Sequence, residues 1–177
     1  MEAVLVITLI LANGIFAMSE MAIVSARKSR LQDRAERGSS ARMALQLANS
    51  PNDFLSTVQI GITVVGTLAS AVGGATIAER MAVHLDQYEF IFPHGESVSL
   101  AIVVVLISYV SLILGELVPK RLALRAPERT ATIVAPFMHS IAYISNPLVR
   151  LLSWSTELVL DLYRRAIRRK PRSRKKR

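Results

Sequence analysis

The run VSLAIVVVLISYVSLILG, residues Val98–Gly115, decides the fold because its 18 residues include no Asp, Glu, Lys or Arg. Two further runs share this property, Ala3–Ser19 over 17 residues and Phe54–Ala78 over 25 residues. A helix needs about 20 apolar residues to cross the hydrocarbon layer of a membrane. As buried core helices, three such runs would need a soluble protein much larger than 177 residues around them. We therefore predict an all-α membrane protein with three transmembrane helices, at about residues 3–26, 54–78 and 98–118.

The first run has an alternative interpretation as a secretory signal peptide. Glu2 stands where such a peptide carries basic residues, and no small-residue cleavage site precedes the charged stretch. We therefore expect a retained helix.

The loops between the runs differ in charge. Residues 27–53 hold six basic and three acidic residues, whereas residues 79–97 hold one basic and four acidic residues. Fifteen of the 22 Lys and Arg residues follow Val118. Because basic loops remain in the cytoplasm, we predict an inner (plasma) membrane protein with its N-terminus outside and its C-terminus cytoplasmic.

The residues after the third run are predicted to lie along the inner membrane surface. We divide the chain into a transmembrane domain (1–129) with a cytoplasmic loop (27–53), interfacial amphipathic helices (130–163) and a basic tail or linker (164–177). Pro136 and Asn146-Pro147 interrupt the helical pattern of 130–163, which predicts a kinked helix pair with Tyr143 and Trp154 at the interface. A fourth spanning helix would place the basic tail outside, against the charge rule. No aromatic residue interleaves the tail after Tyr163, which favours anionic lipid over nucleic acid as its partner.

Composition argues against an enzyme. The chain has no cysteine, which excludes disulfides, thiolate metal sites and cysteine nucleophiles. Its three histidines, His84, His94 and His139, lie away from the acidic residues of the predicted spans, and no glycine-rich phosphate loop is present.

Two carboxylates fall within the predicted spans, Glu20 and Glu116, and ionisable residues at such positions usually mark function. Each follows the outer start of an inward-running helix by about 17 or 18 residues, so we expect them at one depth toward the cytoplasm. Hydroxyl and amide side chains are expected at the same level: Ser19, Ser25, Ser56, Thr57, Gln59 and Thr63. Ligand sets made only of oxygen favour hard cations such as Mg²⁺, Ca²⁺ or Na⁺.

The third helix is expected to stop at Pro119, which lacks an N–H and leaves the carbonyl of Gly115 without its helical donor. Freed carbonyls at membrane depth bind cations in transporters. Two alternatives remain open. Hydroxyls in membrane helices often bond to backbone carbonyls, and either Glu would also fit the inner interface.

Three segments resemble the transmembrane domain of the CorC/CNNM family: Phe16–Ser25 (FAMSEMAIVS), Phe54–Thr63 (FLSTVQIGIT) and Leu114–Arg121 (LGELVPKR). They occur in order and cover nearly the whole chain. The resemblance implies a homodimeric magnesium transporter that exports Mg²⁺, driven by Na⁺ influx. It also implies ATP-binding cytoplasmic CBS domains, which are absent from this sequence.

Carried over residue by residue, the resemblance implies a metal site formed by six residues: Ser19, Glu20, Ser56, Thr63, Gly115 and Glu116. The alternatives are a Mg²⁺ channel or sensor that uses the same site, and a non-transporting membrane anchor for a cytoplasmic regulatory domain.

Overall fold

The computed structural model describes residues 1–85, 87 and 94–168. All secondary structure in these residues is helical, which confirms the predicted fold class. In chain order the helices are α1 (Glu2–Ser25), α2 (Lys28–Ala35), α3 (Ser39–Asn49), α4 (Pro51–Leu85), α5 (Gly95–Leu112), α6 (Val118–Arg125) and α7 (Pro127–Arg168). A π-helical segment, Ile113–Leu117, joins α5 to α6.

Three helical stretches in the described residues are long and apolar enough to cross a membrane: Glu2–Ser25, Pro51–Leu85 and Gly95–Arg125. α4 begins at Pro51, where the fixed φ of proline suits the first position of a helix. The third stretch does not stop at Pro119 as expected, but continues to Arg125. That expectation was wrong because it allowed only an α-helix, whereas the wider turn of the π-helical segment accommodates the proline.

Two buried apolar clusters hold the helices together. One lies where α1, α4 and α5 meet and includes Val6, Ile10, Ala78, Val103 and Ile107. At the same end of α1, Arg80 of α4 forms a 3.0 Å salt bridge with Glu2. Since α1 and α4 are antiparallel, this pairing fixes their relative register.

The second cluster lies at the other end of α1. It also includes residues of α2, α3, α6 and α7 and of the first turns of α4. Phe54, Leu31 and Met138 are its largest fully buried side chains. Phe16 of α1 contributes an aromatic contact to Phe137 of α7, with ring centroids 6.1 Å apart. α2 and α3, short helices with no membrane-spanning length, are therefore tied to the spans by shared apolar burial.

α7 is one continuous helix of 42 residues, not the predicted helix pair. Pro136 and Pro147 lie inside it, and it has a polar and an apolar side. Many of its apolar residues are exposed, including Tyr143, Ile144 and Trp154. Such a surface suits the membrane interface. The basic tail beyond Arg168 lies outside the described residues.

Glu128 at the start of α7 connects this helix to α2. Its side chain is buried, accepts a hydrogen bond from the backbone N–H of Arg27 at 3.5 Å, and lies 3.7 Å from the guanidinium of Arg30. Its own backbone N–H lowers the pKa of this carboxyl most, with further lowering from Arg27, Arg30 and Arg34. Burial opposes the shift without reversing it.

Candidate functional site

The π-helical segment Ile113–Leu117 is the feature around which the candidate site is built. Pro119 has no N–H, and in a regular helix its ring would press on the Gly115 carbonyl. The wider turn places the N–H of Val118 on the carbonyl of Ile113, five residues back. Segments of this kind concentrate at functional sites because they redirect side chains and backbone oxygens.

Gly115, in the middle of that segment, lies directly against α1. A Cβ added there would be 3.2 Å from the carbonyl oxygen of Ile10, closer than most side-chain contacts allow. This approach lets Nδ2 of buried Asn13 donate a hydrogen bond to the Gly115 carbonyl at 3.2 Å. The carbonyl that the sequence suggested as a cation ligand thus has a donor from a neighbouring span.

The two predicted carboxylates come together on one lysine. Lys120 Nζ is 2.7 Å from Glu116 Oε1, four residues earlier on the same span, and 3.4 Å from Glu20 Oε2 on α1. All three side chains are partly buried. The trio is therefore an ion-pair cluster that joins α1 to the third span, with one ammonium group between two carboxylates.

A groove of about 950 Å³ opens beside Glu20, between α1, α4 and the second half of α7. Ser56, Gln59 and Thr63 of α4 line it together with Glu20. α7 closes the opposite side with Leu148, Leu152, Ser153, Thr156 and Glu157. Three of the six predicted site residues, Glu20, Ser56 and Thr63, therefore line one groove, whose surface is mainly apolar.

The other hydroxyls expected at this level have different surroundings. Ser19 is fully buried and donates to the carbonyl of Ile15 at 2.6 Å. Thr57 donates to the carbonyl of Asp53 at 2.8 Å and lines a separate cavity between α3, α4 and α7. Ser25 contacts Met21 Sδ at 3.4 Å. These three follow the alternative in which hydroxyls bond within their own helix.

Sequence reasoning missed three polar residues at or near the site: Lys120, Asn13 and Glu157. Lys120 follows Glu116 by four residues, a spacing that places two helical side chains on one face. Asn13 is a side-chain amide in the middle of the first apolar run, where polar groups usually bond to another helix. Glu157 had no such signal, because its place in the groove depends on how α7 packs.

The arrangement suits exchange of positively charged groups. Its ligands are carboxylate, hydroxyl, amide and carbonyl oxygens, which bind hard cations and ammonium groups alike. Among the described residues, no three His, Asp or Glu side chains cluster in a way that would hold a metal.

The family described as "Cyclin M transmembrane N-terminal domain" matches residues 4–175 of the chain. A UPF0053 protein of Synechocystis sp. is 51% identical over 164 residues, covering 92% of this chain and 37% of that protein. An uncharacterised protein of Mycobacterium tuberculosis is 31% identical over 89% of this chain and 45% of its own length.

A protein of Haemophilus influenzae named polyamine export protein is 26% identical over 92% of this chain and 37% of its own length. One of the same name from Escherichia coli is also 26% identical, over 93% of this chain. The chain thus spans less than half the length of these relatives.

Proposed function

Because this chain belongs to the cyclin M transmembrane domain family, whose members include membrane export proteins, we propose that it transports magnesium ions across a membrane. The transported Mg²⁺ would bind between the spans and leave the cell in exchange for Na⁺. The chain would work as a homodimer in the plasma membrane, with its N-terminus outside, and would catalyse no chemical reaction.

One observation carries the proposal: carboxylates from two different spans, Glu20 and Glu116, converge on a single cationic group. Ionisable residues at membrane depth are costly and are retained mainly along ion pathways. The groove lined by Ser56 and Thr63 reaches Glu20, so an ion within it would meet hydroxyl oxygens and this carboxylate. Mg²⁺ sheds its waters reluctantly, so a wide groove beside a tighter site suits its stepwise dehydration.

The test uses proteoliposomes loaded with Mg²⁺ and an indicator of external Mg²⁺. Glu116→Gln preserves the shape of the side chain but removes its charge, so Mg²⁺ efflux should fall to the level of Mg²⁺-loaded liposomes without protein. Glu2→Gln is the matched control, because Glu2 pairs with Arg80 at the opposite end of α1, and should retain efflux. Unchanged efflux in Glu116→Gln would refute the assignment.

The coupling ion is tested in the same vesicles. With Na⁺ outside and none inside, exchange predicts faster Mg²⁺ efflux than with choline outside. A rate that ignores this gradient would instead support a channel that uses the same site. Absence of any flux or Mg²⁺ binding would leave the role of a membrane anchor.

A second candidate substrate is a polyamine. Its support is specific: the group that Glu20 and Glu116 bind here is the ammonium of Lys120, which has the chemistry of a polyamine end. Relatives from Haemophilus influenzae and Escherichia coli bear the name polyamine export protein. The groove of about 950 Å³ beside Glu20 also has room for an extended aliphatic chain.

The two substrates are distinguished by measuring the efflux of each one separately. Vesicles loaded with radiolabelled spermidine should show no efflux beyond passive leak if Mg²⁺ is the substrate. Spermidine efflux that Glu116→Gln abolishes, in vesicles that release no Mg²⁺, would replace the magnesium proposal by polyamine export.

A further inference from the structure

Lys120 occupies the position from which a cation would neutralise both carboxylates of the site. Its ammonium is 2.7 Å from Glu116 and 3.4 Å from Glu20, and about three quarters of its side chain is buried. An incoming ion cannot take the position between Glu116 Oε1 and Glu20 Oε2 while the ammonium occupies it. Binding at that position therefore displaces Lys120 from at least one partner.

We propose that Lys120 is a built-in substitute cation, which competes with the transported ion for Glu20 and Glu116 and is released when that ion binds. The inference rests on the proposed transport function. It assigns Lys120 a role in selectivity and turnover, in addition to pairing two charges.

Charge counting indicates which ions can displace the lysine. Two carboxylates and one ammonium leave a net charge of −1, and replacing the ammonium by a divalent cation brings the local sum to zero. A monovalent ion that replaces it leaves −1 and gains nothing to offset the lost ion pair. Because uncompensated charge is expensive inside a membrane, the exchange favours divalent ions and oligoamines.

The released ammonium has a place to go. Lys120 lies near the end of the third span, two residues after α6 begins, and its four-carbon stem can lie along the helix while the charge reaches the membrane surface. Movement of one flexible side chain is therefore enough to open the site, without rearrangement of the backbone.

Asn13 occupies the Gly115 carbonyl much as Lys120 occupies the two carboxylates. Its Nδ2 donates to that oxygen, while its Oδ1, also buried, has no hydrogen-bond partner in the part of the chain that the structure describes. A half-turn of the amide would withdraw the donor and present an acceptor oxygen beside the carbonyl. A second internal donor thus yields to a cation in the same way.

The substitute cation also explains how a carrier could return after releasing its ion. With Lys120 in place, one of the two negative charges is compensated while the spans rearrange. Without it, the site would carry two uncompensated charges whenever no ion is bound. Net efflux should then slow, even though ion binding becomes tighter.

The experiment measures Mg²⁺ affinity of the purified protein by isothermal titration calorimetry. Lys120→Met removes the competing charge, so the Kd for Mg²⁺ should fall about tenfold, which corresponds to about 1.4 kcal/mol. Lys120→Arg keeps a competing cation in place and should therefore not show the tighter Mg²⁺ binding of Lys120→Met. Lys28→Met, which removes an exposed lysine of α2, is the control for the change in net charge.

An unchanged or higher Kd in folded Lys120→Met would overturn the substitute-cation role. Loss of a lysine that only holds the site together would have this result, because it removes no competitor of Mg²⁺. Mg²⁺ efflux by wild type in that case would leave the transport proposal standing. Wild-type protein that neither binds nor moves Mg²⁺ would instead remove the transport proposal, and this inference with it.

A second measurement tests the same proposal on wild-type protein, in case Lys120→Met fails to fold. Wild-type protein is acetylated with an amine-reactive reagent, and the modification of each lysine is followed by mass spectrometry. Mg²⁺ should accelerate acetylation of Lys120, because the displaced ammonium becomes accessible, and should leave Lys28 unaffected. A Lys120 rate that does not respond to saturating Mg²⁺ would contradict the proposal.

Discussion

Gly14 and Gly115 show how single residues set the distance between α1 and the kinked third span. Both lie where a side chain would collide with the neighbouring helix. A Cβ at Gly14 would be 3.0 Å from the Pro119 ring and 3.1 Å from the carbonyl oxygen of Leu114. Because that carbonyl belongs to the backbone, it cannot move without shifting the π-helical segment.

Gly14→Ala should therefore destabilise the protein by about 1–3 kcal/mol, the usual cost of overpacking a tight contact. The melting temperature in detergent measures the effect. Gly66→Ala is the matched control, since among the described residues no atom beyond the neighbouring backbone of its own helix lies within 4 Å of its added Cβ. It should melt at the wild-type temperature or slightly above, because alanine favours a helix. Equal melting of Gly14→Ala and wild type would contradict the observed contact.

Residue spacing predicted that two carboxylates come close together and could not predict what else joins them. Depth along two helices that run in the same direction was enough to bring Glu20 and Glu116 to a similar level. Their shared partner Lys120 depends on the rotation of α6 after the π-helical segment, which spacing in a regular α-helix does not describe. The sequence also does not distinguish the α4 hydroxyls that line the groove, Ser56 and Thr63, from the Thr57 hydroxyl, which bonds within its own helix.

Among the helices, the third span and α7 show how proline acts in different contexts. Pro119 was expected to end a helix, yet it follows a π-helical segment in a continuous span. Pro136 and Pro147 lie within the unbroken α7. Proline was a sound predictor of helix starts, as at Pro51, but a poor predictor of helix ends where packing against other helices stabilises the continuation.

The junction of α2 with α7 predicts a dependence on pH. Because the folded pKa of Glu128 lies below its ordinary value, its ionised form stabilises the fold. That contribution is fully present above the ordinary pKa of about 4.5 and is lost as pH falls through the lower, folded value. Wild type should thus lose melting temperature on acidification in this range.

Glu128→Gln separates this carboxyl from the other acids. The variant should melt below wild type at pH 7, and the difference should shrink as the pH falls below about 4.5. Asp161→Gln is a suitable control, because the ion pair of Asp161 with Arg164 is long, at 3.9 Å, and both side chains are exposed. A gap between Glu128→Gln and wild type that stays constant across this range would argue against the pKa shift.

Considered as a unit, the molecule has three candidate spans in the described residues and a long amphipathic helix that packs against α1, α3, α4 and α6. Its number of spans and helical class follow from three uncharged runs. In the hydrocarbon layer only helices and closed barrels satisfy all of their own backbone hydrogen bonds. How α7 packs does not follow in this way. Its apolar residues are compatible with either burial or the membrane interface, and tertiary contacts decide between them.

The proposed orientation is tested with single cysteines, since the native chain has none. Ser39→Cys at the start of α3 should react with a membrane-impermeant maleimide only after the cells are opened. His94→Cys, just before α5, should react in intact cells. The reverse labelling pattern would place the N-terminus inside and would invert the direction of transport.

The most direct test of the cation site is a crystal structure grown with Mn²⁺, located by its anomalous scattering as a substitute for Mg²⁺. The account predicts a peak bound directly to the Glu116 carboxylate, at a distance near the roughly 2.0–2.1 Å of Mg²⁺–oxygen bonds, with the Lys120 ammonium withdrawn. A map at saturating Mn²⁺ with Lys120 still bridging Glu20 and Glu116, and no peak beside them, would contradict it.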